Sequence, residues 1–585
     1  MRLNSGVLYM DKKEVSKILE EIGVLLEIQG ENPFKTRAYF NGARVVEQLE
    51  EDIGVLVEED RLHGIKGIGK ALQKKITELV STGKLHYYDD LRAKTPEGIF
   101  EILKIPGLGP KKVKVLYDEL DITTVGELEY ACLENRLIDL KGFGEKTQNK
   151  ILEGIDHIKK YRGQHLISTG MIFGNKVIED LKKHEAMIRI SLAGSIRRQK
   201  EIIKDIDILG SCREDKRKEI MDFFTSLEDV EKVIAKGNTK SSVVLWSGIN
   251  VDLRLVDDEE YPFALHHFTG SKEHNTAMRH RGKAFGLKIN EYGIFKEDKR
   301  IDVKDEKEFF SVLNLQYIPP ELRENHGEIE ASEKGMIPNL IEVQDIKGVL
   351  HVHSNYSDGV NSIEELVIAA IEKGFQYIGI SDHSKSAFYA NGLKEKTIKK
   401  QHEEIEKLRE KYPEIKIFKG IESDILPDGS LDYEDEVLAT FDYVIGSVHS
   451  HFKMDRDQMT KRLMTAVENK YLTILGHPTG RLLLSRKEYD LNLEEVIESC
   501  GKNAVAIEIN SNPHRLDLDW RMCKYAKEKG VKLVIEPDAH RISGIDDIFY
   551  GIGIGRKGWL EATDVLNTSL VEDIHRFLKK GDIGK

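Results

Sequence analysis

The spacing of apolar residues changes character along this 585-residue chain. In Met10–Val80, apolar positions recur every three or four residues, a pattern typical of amphipathic helices. From Ile188 onward, short runs of β-branched residues predict the strands of a mixed α+β region. These strands are Ile188–Ala193, Ile206–Leu209, Ser242–Trp246 and Val251–Val256. Because a chain of this length exceeds one hydrophobic core, we expect roughly three or four domains.

The last part of the chain alternates strand-like and helix-like segments. Repeated strand–helix units place their strands in parallel, and seven such units predict a closed or nearly closed barrel. Active sites of such barrels lie at the carboxyl ends of the strands. The seven predicted strands are Gly348–His353, Tyr377–Ser381, Ile415–Gly420, Tyr443–Val448, Leu472–Gly476, Ala504–Ile509 and Lys532–Glu536.

One segment between these regions has little apolar periodicity. Tyr317–Asp345 contains Pro319-Pro320 and many charged residues. Such a composition is typical of an extended linker. We therefore predict an extended segment here, and we hypothesise that the regions on either side of it move relative to each other.

Composition narrows the class of protein. No apolar run approaches the roughly 20 residues that cross a membrane, so no membrane partner is expected. The four cysteines are widely spaced, which is typical of reduced cytoplasmic thiols. A net charge of −13 does not by itself indicate a nucleic-acid partner. We expect a cytoplasmic protein.

Three short glycine loops share one pattern, hydrophobic-x-Gly-hydrophobic-Gly, and each precedes a helical stretch that contains lysine. Such a turn exposes backbone N–H groups that can bind a phosphate without reading base sequence. One such loop alone is usually only a turn, but three predict helix-hairpin-helix contacts with DNA. The candidate residues are Gly67, Gly69, Gly107, Gly109, Gly142 and Gly144.

The first acidic constellation is Asp205, Asp207 and Asp252. The first two carboxylates are separated by one residue in a strand, so both face the same side, and Asp252 lies in a second strand. Three carboxylates on neighbouring strands can hold two Mg²⁺ ions. The turn at Gly194-Ser195, followed by two arginines, offers donors for a triphosphate. The alternative is surface carboxylates beside a chance turn.

Gly194–Asp207, Asp252 and Phe268–Ser271 resemble the palm and thumb of family X DNA polymerases, the DNA polymerase β type. The resemblance implies that the three aspartates are catalytic ligands of Mg²⁺ or Mn²⁺. His267 stands where animal relatives have tyrosine beside the sugar, so sugar discrimination stays open. By the same resemblance, the contacts with dNTP are Gly194, Ser195, Arg198, Gly270, Asn275 and Arg279.

The N-terminal region is similar to the 8-kDa domain of the same family. Lys75 falls at the position of the lysine that forms a Schiff base with an abasic sugar. A lysine in such a helical run is more often a solvated phosphate contact, so both interpretations stay open. The resemblance also implies that this region binds the 5′-phosphate of a DNA gap.

A second constellation of histidines and acidic residues lies at the ends of the predicted barrel strands. Imidazole and carboxylate ligands suit Zn²⁺ or Mn²⁺, with Fe²⁺ possible, and packing alone does not explain so many of them. We predict a multinuclear metal centre. Its candidate ligands are His351, His353, Asp358, His383, Glu422, His449, His477, Asp538 and His540.

These residues stand in motifs that resemble the PHP (polymerase and histidinol phosphatase) domain. In members with three ions, one ion takes His351, His353, Glu422 and Asp538. A second shares Glu422 and adds His449 and His477. The third takes Asp358, His383 and His540. Glu508, Asn510 and Arg515 are further candidates to support these ligands or contact substrate.

The fold class expected overall is multidomain: helical helix-hairpin-helix domains, an α+β nucleotidyltransferase palm and thumb, and a distorted (βα)7 PHP barrel. The expected domains are 1–85 (8-kDa-like, DNA-binding), 86–162 (helix-hairpin-helix fingers), 163–256 (palm), 257–317 (thumb), 318–345 (linker) and 346–585 (PHP).

The combination of palm and PHP domain resembles a bacterial family X DNA polymerase. It implies gap filling in base-excision repair on gapped or nicked DNA with dNTPs, by a monomer. The PHP domain would add 3′→5′ exonuclease activity, with abasic-site cleavage or removal of 3′-blocking groups as further possibilities. One rival is a PHP phosphoesterase whose inactive palm only binds DNA. Another is a non-catalytic protein that bridges DNA breaks.

Overall fold

The computed structural model describes residues 3–4, 7–8, 10–49, 51–138, 140–159 and 163–579. Its contacts divide the chain into an N-terminal unit, residues 1–158, and a C-terminal unit, residues 159–585. The domain boundary predicted at residue 162 lies outside the described residues. Within the described part of the chain, we find no helix with the length and apolar character needed to span a membrane.

The N-terminal unit is helical, as predicted. Its first helix begins at a capping box, in which Asp11 accepts the Glu14 N–H and the Glu14 carboxylate accepts the Asp11 N–H. Apolar faces build two cores, one around Leu19 and Ile76 and one around Ile99 and Leu116. The helices are Lys12–Ile28, Pro33–Glu47, Ile53–Glu58, Lys70–Thr82, His86–Ala93, Glu97–Ile102, Pro110–Leu120, Val125–Leu133 and Glu145–Lys159, with a 3-10 turn at Arg61–Gly64 and short paired strands Leu3–Asn4 and Val7–Leu8.

The C-terminal unit begins with a five-stranded sheet. In spatial order its strands are Arg189–Leu192, Asp205–Ser211, Asn250–Val256, Lys240–Leu245 and Val230–Lys236. The second and third strands are parallel, and the other pairs are antiparallel. The edge strand Val230–Lys236 was not predicted, because its side chains are almost all exposed and carry no alternating pattern. The associated helices are Ile167–Lys182, Gly194–Arg197 and Arg217–Thr225, with a 3-10 turn at Glu214–Lys216 and the strand pair His165–Leu166 and Ile202–Ile203.

A smaller α+β region follows this sheet. Phe263, Met278, Phe309 and Phe310 form its core, which is separate from the core of the five-stranded sheet. Its helices are Tyr261–Thr269, Lys272–Ala284 and Glu306–Val312, and its three antiparallel strands are Leu287–Asn290, Gly293–Lys296 and Lys299–Ile301. The predicted α+β character of this part of the chain is confirmed.

The segment Tyr317–Asp345 is folded, so the prediction of an extended linker was wrong. It contains 3-10 turns at Pro320–Leu322 and Val343–Asp345 and the helix Glu328–Glu333. The side chains of Arg323 and Glu328 have no exposed surface. These charges looked solvated in the sequence, but they pair with residues that precede the segment in the chain.

Three ion pairs explain the burial. Arg323 Nη1 lies 2.5 Å from Glu306 Oε1, and Arg197 Nη2 lies 2.6 Å from Glu306 Oε2. Glu328 Oε1 lies 2.7 Å from His274 Nδ1. Burial acts to raise the pKa of Glu306, but Arg323 and Arg197 hold that pKa at about 2, so the carboxylate stays charged.

The barrel contains seven parallel strands, each paired with the next in the chain, as predicted. An isolated bridge between Val352 and Ala539, three residues past the ends of the first and last strands, brings the two edges of the barrel together. The first strand is shorter than predicted, because the N–H groups of Leu350 and His351 donate to the Glu536 carboxylate (2.7 and 3.0 Å). The strands are Gly348–Val349, Tyr377–Ile380, Lys416–Asp424, Tyr443–Ser447, Leu472–Leu475, Ala506–Asn510 and Leu533–Glu536.

Helices cover the barrel and close one end. The amphipathic helix Val571–Leu578 packs Ile574 and Leu578 beneath the strands, against residues such as Phe418. The other helices are Ile363–Glu372, Glu395–Lys411, Asp435–Leu438, Arg456–Val467, Leu493–Lys502, Trp520–Glu528 and Ile548–Lys557, and 3-10 turns lie at Phe388–Ala390, Ile542–Asp547, Ala562–Asp564 and Leu566–Thr568.

Replacing Arg323 by methionine should destabilise the C-terminal unit strongly. The change leaves Glu306 buried with one cation fewer, and breaking a buried ion pair costs about 3 kcal/mol or more. Glu306 is ionised above its pKa of about 2, so the full loss applies at pH 7. Thermal unfolding measures it. Arg300→Met is the control, because its partner Glu259 is 80% exposed and the expected cost is below about 1 kcal/mol. Equal small shifts in both variants would contradict the prediction.

Candidate active sites

The first candidate site lies where the two parallel strands of the five-stranded sheet run side by side. Asp207 stands directly opposite Asp252 in the register, and Asp205 stands opposite Asn250. Asp205 lies on the same face as Asp207, since side chains two residues apart in a strand point the same way. The structure therefore brings the three predicted carboxylates together.

A cavity of about 440 Å³ opens beside Asp205 and Asp207. All six residues predicted to contact dNTP line it, although they come from two separate stretches of the chain. Its walls are Gly194, Ser195, Arg198, Asp205, Asp207, His267, Phe268, Thr269, Gly270, Lys272, Asn275 and Arg279.

Glycine is required at the start of the loop in this cavity. Gly194 has φ +59°, and a Cβ there would lie 2.1 Å from Asp207 Oδ2. The Ala193 N–H donates to the Asp207 carbonyl at 2.8 Å, which fixes the turn to the strand. The loop can therefore approach the carboxylates only because it has no side chain at this position.

Arginines and an asparagine complete the cavity. Arg198 Nε donates to Glu324 Oε1 at 3.1 Å, and its Nη1 donates to the Thr269 carbonyl. Asn275 Nδ2 donates to the His267 carbonyl at 2.7 Å. Arg279 is exposed and can reach a ligand from solvent. This is a cationic, donor-rich wall that faces an acidic one, which suits a triphosphate bound with cations.

The acidic wall needs positive charge. Burial, together with the neighbouring Asp205 and Asp252 carboxylates, raises the pKa of Asp207 to about 6. Lys240 Nζ lies 2.6 Å from Asp252 Oδ2 and neutralises part of the charge. Hard oxygen ligands that crowd in this way fit divalent cations such as Mg²⁺ or Mn²⁺.

The second candidate site lies at the carboxyl ends of the barrel strands, and all nine predicted ligands meet there. Apart from Asp358, each lies in a strand or within four residues of the end of one. Three groups of nitrogen and carboxylate oxygen atoms each lie within 4.8 Å of one another. The groups are His353, Asp358, His383 and His540; His351, His353 and Asp538; and His383, Glu422 and His449.

Glu422 is the centre of this cluster. Its Oε1 lies 3.4, 3.3 and 3.1 Å from the Nε2 atoms of His351, His449 and His477. Its Oε2 lies 2.9 Å from His383 Nδ1. Backbone pairing of His383 with Glu422 continues the ladder past the end of the strand and brings these two residues side by side.

The donor set fits a multinuclear metal centre. His351 and His353 have no exposed surface, and Asp538 is 4% exposed. His353 Nδ1 is buried and has no hydrogen-bond partner among the described residues, so a cation would satisfy it. Asp358 Oδ2 lies 3.4 Å from both His383 Nε2 and His540 Nε2, a spacing that a shared cation would bridge.

Carboxylates and an amide hold the cluster from outside. Glu508 Oε1 lies 2.5 Å from His351 Nδ1, and Asn510 Nδ2 donates to Asp538 Oδ2 at 3.0 Å. Arg515 Nε lies 3.9 Å from the same oxygen. Asp424 was missed in the sequence, although its Oδ1 lies 2.6 Å from His449 Nδ1. The sequence feature that could have identified Asp424 is its position two residues after Glu422, which places both side chains on one face of the strand.

The glycine loops of the N-terminal unit have the geometry that phosphate-binding turns need. Gly67, Gly107 and Gly142 have φ values of +102°, +86° and +89°. Gly69 and Gly109 immediately precede the helices Lys70–Thr82 and Pro110–Leu120, and no side chain caps their first N–H groups. Gly144 holds the same position before Glu145–Lys159. Donors at these helix starts can therefore bind an anion.

Lys75 lies in a cationic and aromatic group of the N-terminal unit. Its Nζ is 4.4 Å from the centre of the Tyr87 ring, and Lys35 Nζ is 5.7 Å from the same ring. Tyr39 stacks on Tyr87 at 6.2 Å. Two ammonium groups held against one ring offer a site for a phosphate.

Comparison with known families finds four matching domains in this chain. Matches cover a helix-hairpin-helix domain at residues 10–85, a SAM-like helix-hairpin-helix tandem at 99–156, the DNA polymerase beta thumb at 264–324 and the PHP domain at 350–512.

Individual proteins are similar to all or part of the chain. DNA polymerase/3′-5′ exonuclease PolX of Bacillus subtilis (strain 168) is 41% identical over 98% of this chain and 100% of its own length. A probable phosphatase of Thermoanaerobacter sp. (strain X514) is 28% identical over 40% of this chain and 96% of its own. Leishmania infantum polymerase beta, in a ternary P/T complex, is 24% identical over 39% of this chain and 98% of its own, with a TM-score of 0.26.

In metal-free protein at pH 8, Asp207→Asn should raise the thermal midpoint by roughly 2 °C. The raised pKa of Asp207 means that its ionised form destabilises the folded state. The increase in the thermal midpoint is therefore complete above pH 6 and becomes smaller as the pH falls below 6. Thermal scans in EDTA across pH 4–8 measure this. Asp215→Asn is the control, because that side chain is 65% exposed. A lower midpoint for Asp207→Asn at pH 8 would contradict the prediction.

Proposed function

The chain belongs to the PolX family of DNA polymerase/3′-5′ exonucleases, and from this premise we propose that it fills short DNA gaps and trims 3′ ends. The proposed setting is base-excision repair, in the cytoplasm and as a monomer. The observation that carries the proposal is the pairing of Asp207 with Asp252 beside a cavity lined by donors for a triphosphate.

In the polymerase reaction, Asp205, Asp207 and Asp252 would hold two Mg²⁺ or Mn²⁺ ions. Bound there, such ions would make the primer 3′-hydroxyl a better nucleophile and supply positive charge for the leaving pyrophosphate. Ser195 and Arg198 would donate to the triphosphate from the opposite wall, and Gly194 and Gly270 let the backbone approach it.

Two further side chains would then check the new base pair. Asn275 lines the cavity and is held in place by the bond from its Nδ2 to the His267 carbonyl. Arg279 lies one helical turn further along Lys272–Ala284 and would reach the minor groove. His267 would lie beside the sugar of the incoming nucleotide.

In the exonuclease reaction, the nine barrel residues would hold up to three Mn²⁺ or Zn²⁺ ions. Bound there, these ions would supply an activated water for attack on phosphorus and positive charge for the leaving oxygen. Glu508 orients His351, and Asp424 orients His449, each through the Nδ1 atom of the histidine. The Nε2 atom of each histidine is therefore directed at Glu422. Arg515 would bind the phosphodiester, and the same centre could open abasic sites or remove 3′-blocking groups.

DNA would be held by the N-terminal unit. The loops at Gly67, Gly107 and Gly142 would bind backbone phosphates on both sides of a gap. Lys75 and Lys35 would bind the 5′-phosphate at the downstream edge of the gap, because both ammonium groups lie over one ring. Lyase chemistry at Lys75 is the second candidate role.

A primer on a one-nucleotide gap with a 5′-phosphate tests the proposal. Asp205→Ala should reduce primer extension on the order of a thousandfold, because one of the three carboxylates that would hold the ions is lost, and should leave shortening of the primer unchanged. His353→Ala should have the reverse effect. Each variant is the control for the other, and labelled products on a sequencing gel measure both reactions. Shortening by wild type without any extension would favour the rival, a PHP phosphoesterase with an inactive palm.

Metal content separately tests the barrel centre. Elemental analysis after exhaustive dialysis should find up to three ions per chain in wild type, and at least one fewer in Glu422→Gln, because Glu422 faces three histidines at once. Glu404→Gln is the matched control, since that carboxylate bonds the Tyr356 hydroxyl away from the cluster. Identical metal content in all three proteins would reject the assignment.

A further inference from the structure

Arg198, the arginine of the triphosphate cavity, is bound on its other side by a carboxylate. Its Nε donates to Glu324 Oε1 at 3.1 Å, while its Nη1 bonds the Thr269 carbonyl at the cavity wall. Glu324 belongs to the folded segment Tyr317–Asp345 and is largely buried. A carboxylate in this position competes with any triphosphate for the charge of Arg198.

Lys557, from the barrel, binds the same carboxylate. This lysine ends the helix Ile548–Lys557, and its Nζ lies 2.6 Å from Glu324 Oε1, the oxygen that Arg198 also contacts. The same ammonium donates to the Arg198 carbonyl at 3.1 Å and the Glu321 carbonyl at 3.4 Å. All three ammonium donors are therefore used, which fixes the lysine in one position.

The surroundings of Lys557 leave it no access to solvent. It is 1% exposed, and its Nζ lies 4.9 Å from the centre of the Trp520 ring. Gln199, the residue after Arg198, packs on Gly553 of the same barrel helix, where a Cβ would lie 2.9 Å from Gln199 Oε1. A buried ammonium of this kind is stable only when its partner carboxylate is charged and close.

From these contacts we propose that Lys557 of the barrel is a positioning residue for nucleotide binding in the palm. It neutralises Glu324, so that the Arg198 guanidinium stays available to the triphosphate, and it holds the Arg198 backbone through the carbonyl. The inference rests on the proposed polymerase function, and it makes incoming-nucleotide affinity depend on a residue of the nuclease domain.

The direction of the effect follows from the shared oxygen. Without Lys557, the full charge of Glu324 faces Arg198 and Lys200, whose Nζ lies 3.8 Å from Glu324 Oε2. Arg198 then pairs more strongly with Glu324 and less with a triphosphate. Removing the charge of Glu324 as well removes the competitor, so a second substitution should reverse most of the loss.

The test measures the dissociation constant of a matching dNTP on a gapped DNA whose primer ends in a dideoxynucleotide, and the KM for dNTP on an extendable primer. Lys557→Met should raise both constants about tenfold, a change within the usual range of coupling between sites. The rate at which the same variant shortens a single-stranded DNA should stay within twofold of the wild-type rate. The double variant Lys557→Met with Glu324→Gln should return to within about threefold of wild type.

Arg556→Met is the matched control. Arg556 also joins the barrel to the folded segment, through Glu321 at 2.7 Å and the Ile341 carbonyl at 2.9 Å, but within the described part of the chain it forms no hydrogen bond or ion pair with Arg198. It should leave dNTP affinity unchanged. If it weakens dNTP binding as much as Lys557→Met does, general loosening of the interface explains both effects and the proposal is overturned.

The remaining outcomes are equally decisive. The proposal is overturned if Lys557→Met binds dNTP with unchanged affinity, or if the double variant binds dNTP as weakly as Lys557→Met. In either case, primer extension by the wild-type protein leaves the proposed function intact. If wild type extends no primer, the proposed function fails and this inference fails with it. If Lys557→Met also loses exonuclease activity, the double variant, which is neutral at both positions, decides the test. Its dNTP constants should then lie within about threefold of the wild-type values.

Discussion

Parallel pairing of strands is the constraint on which both candidate centres depend. In a parallel pair, register fixes which side chains stand opposite each other, and every second residue returns to the same face. This places Asp207 opposite Asp252 in the five-stranded sheet. In the barrel, the same rule collects side chains from successive strands at one end, where Glu422 faces histidines of several strands.

Crowding of ionisable groups is the energetic consequence of that geometry. In the palm, burial and then repulsion from the other two carboxylates raise the pKa of Asp207. The barrel cluster is more deeply buried and mixes imidazoles with carboxylates, so its charges are partly balanced within the protein. Both sites gain most from bound cations, but the different ligands favour oxygen-seeking ions in the palm and softer ions in the barrel.

Buried ion pairs link these regions into one C-terminal unit. Glu306 joins Arg197, which lies next to the cavity beside Asp205 and Asp207, to Arg323 of the folded segment. Glu324 of the same segment joins Arg198 to Lys557 of the barrel. The segment that looked like a spacer is therefore the part through which palm, thumb and barrel contact one another. Pairs of this kind contribute specificity of arrangement more than net stability.

Sequence alone determined the features that depend on local spacing. Apolar periodicity predicted the helices and the seven barrel strands, and the i, i+2 rule predicted that Asp205 and Asp207 share a face. Residue type was enough to select all nine candidate ligands that meet in the barrel, since histidines and acids at strand ends have few structural reasons to recur. Asp424 could have been found by the same rule.

Tertiary structure alone decided which charges are buried and with which partners. Arg323, Glu324 and Lys557 look like solvated residues in the sequence, because the partners that neutralise them lie far away in the chain. The edge strand Val230–Lys236 was missed for a related reason, as its exposed side chains bear no pattern and only pairing with Lys240–Leu245 defines it. Local spacing fixes the direction of a side chain, whereas its surroundings are set by residues that the fold brings from a distance.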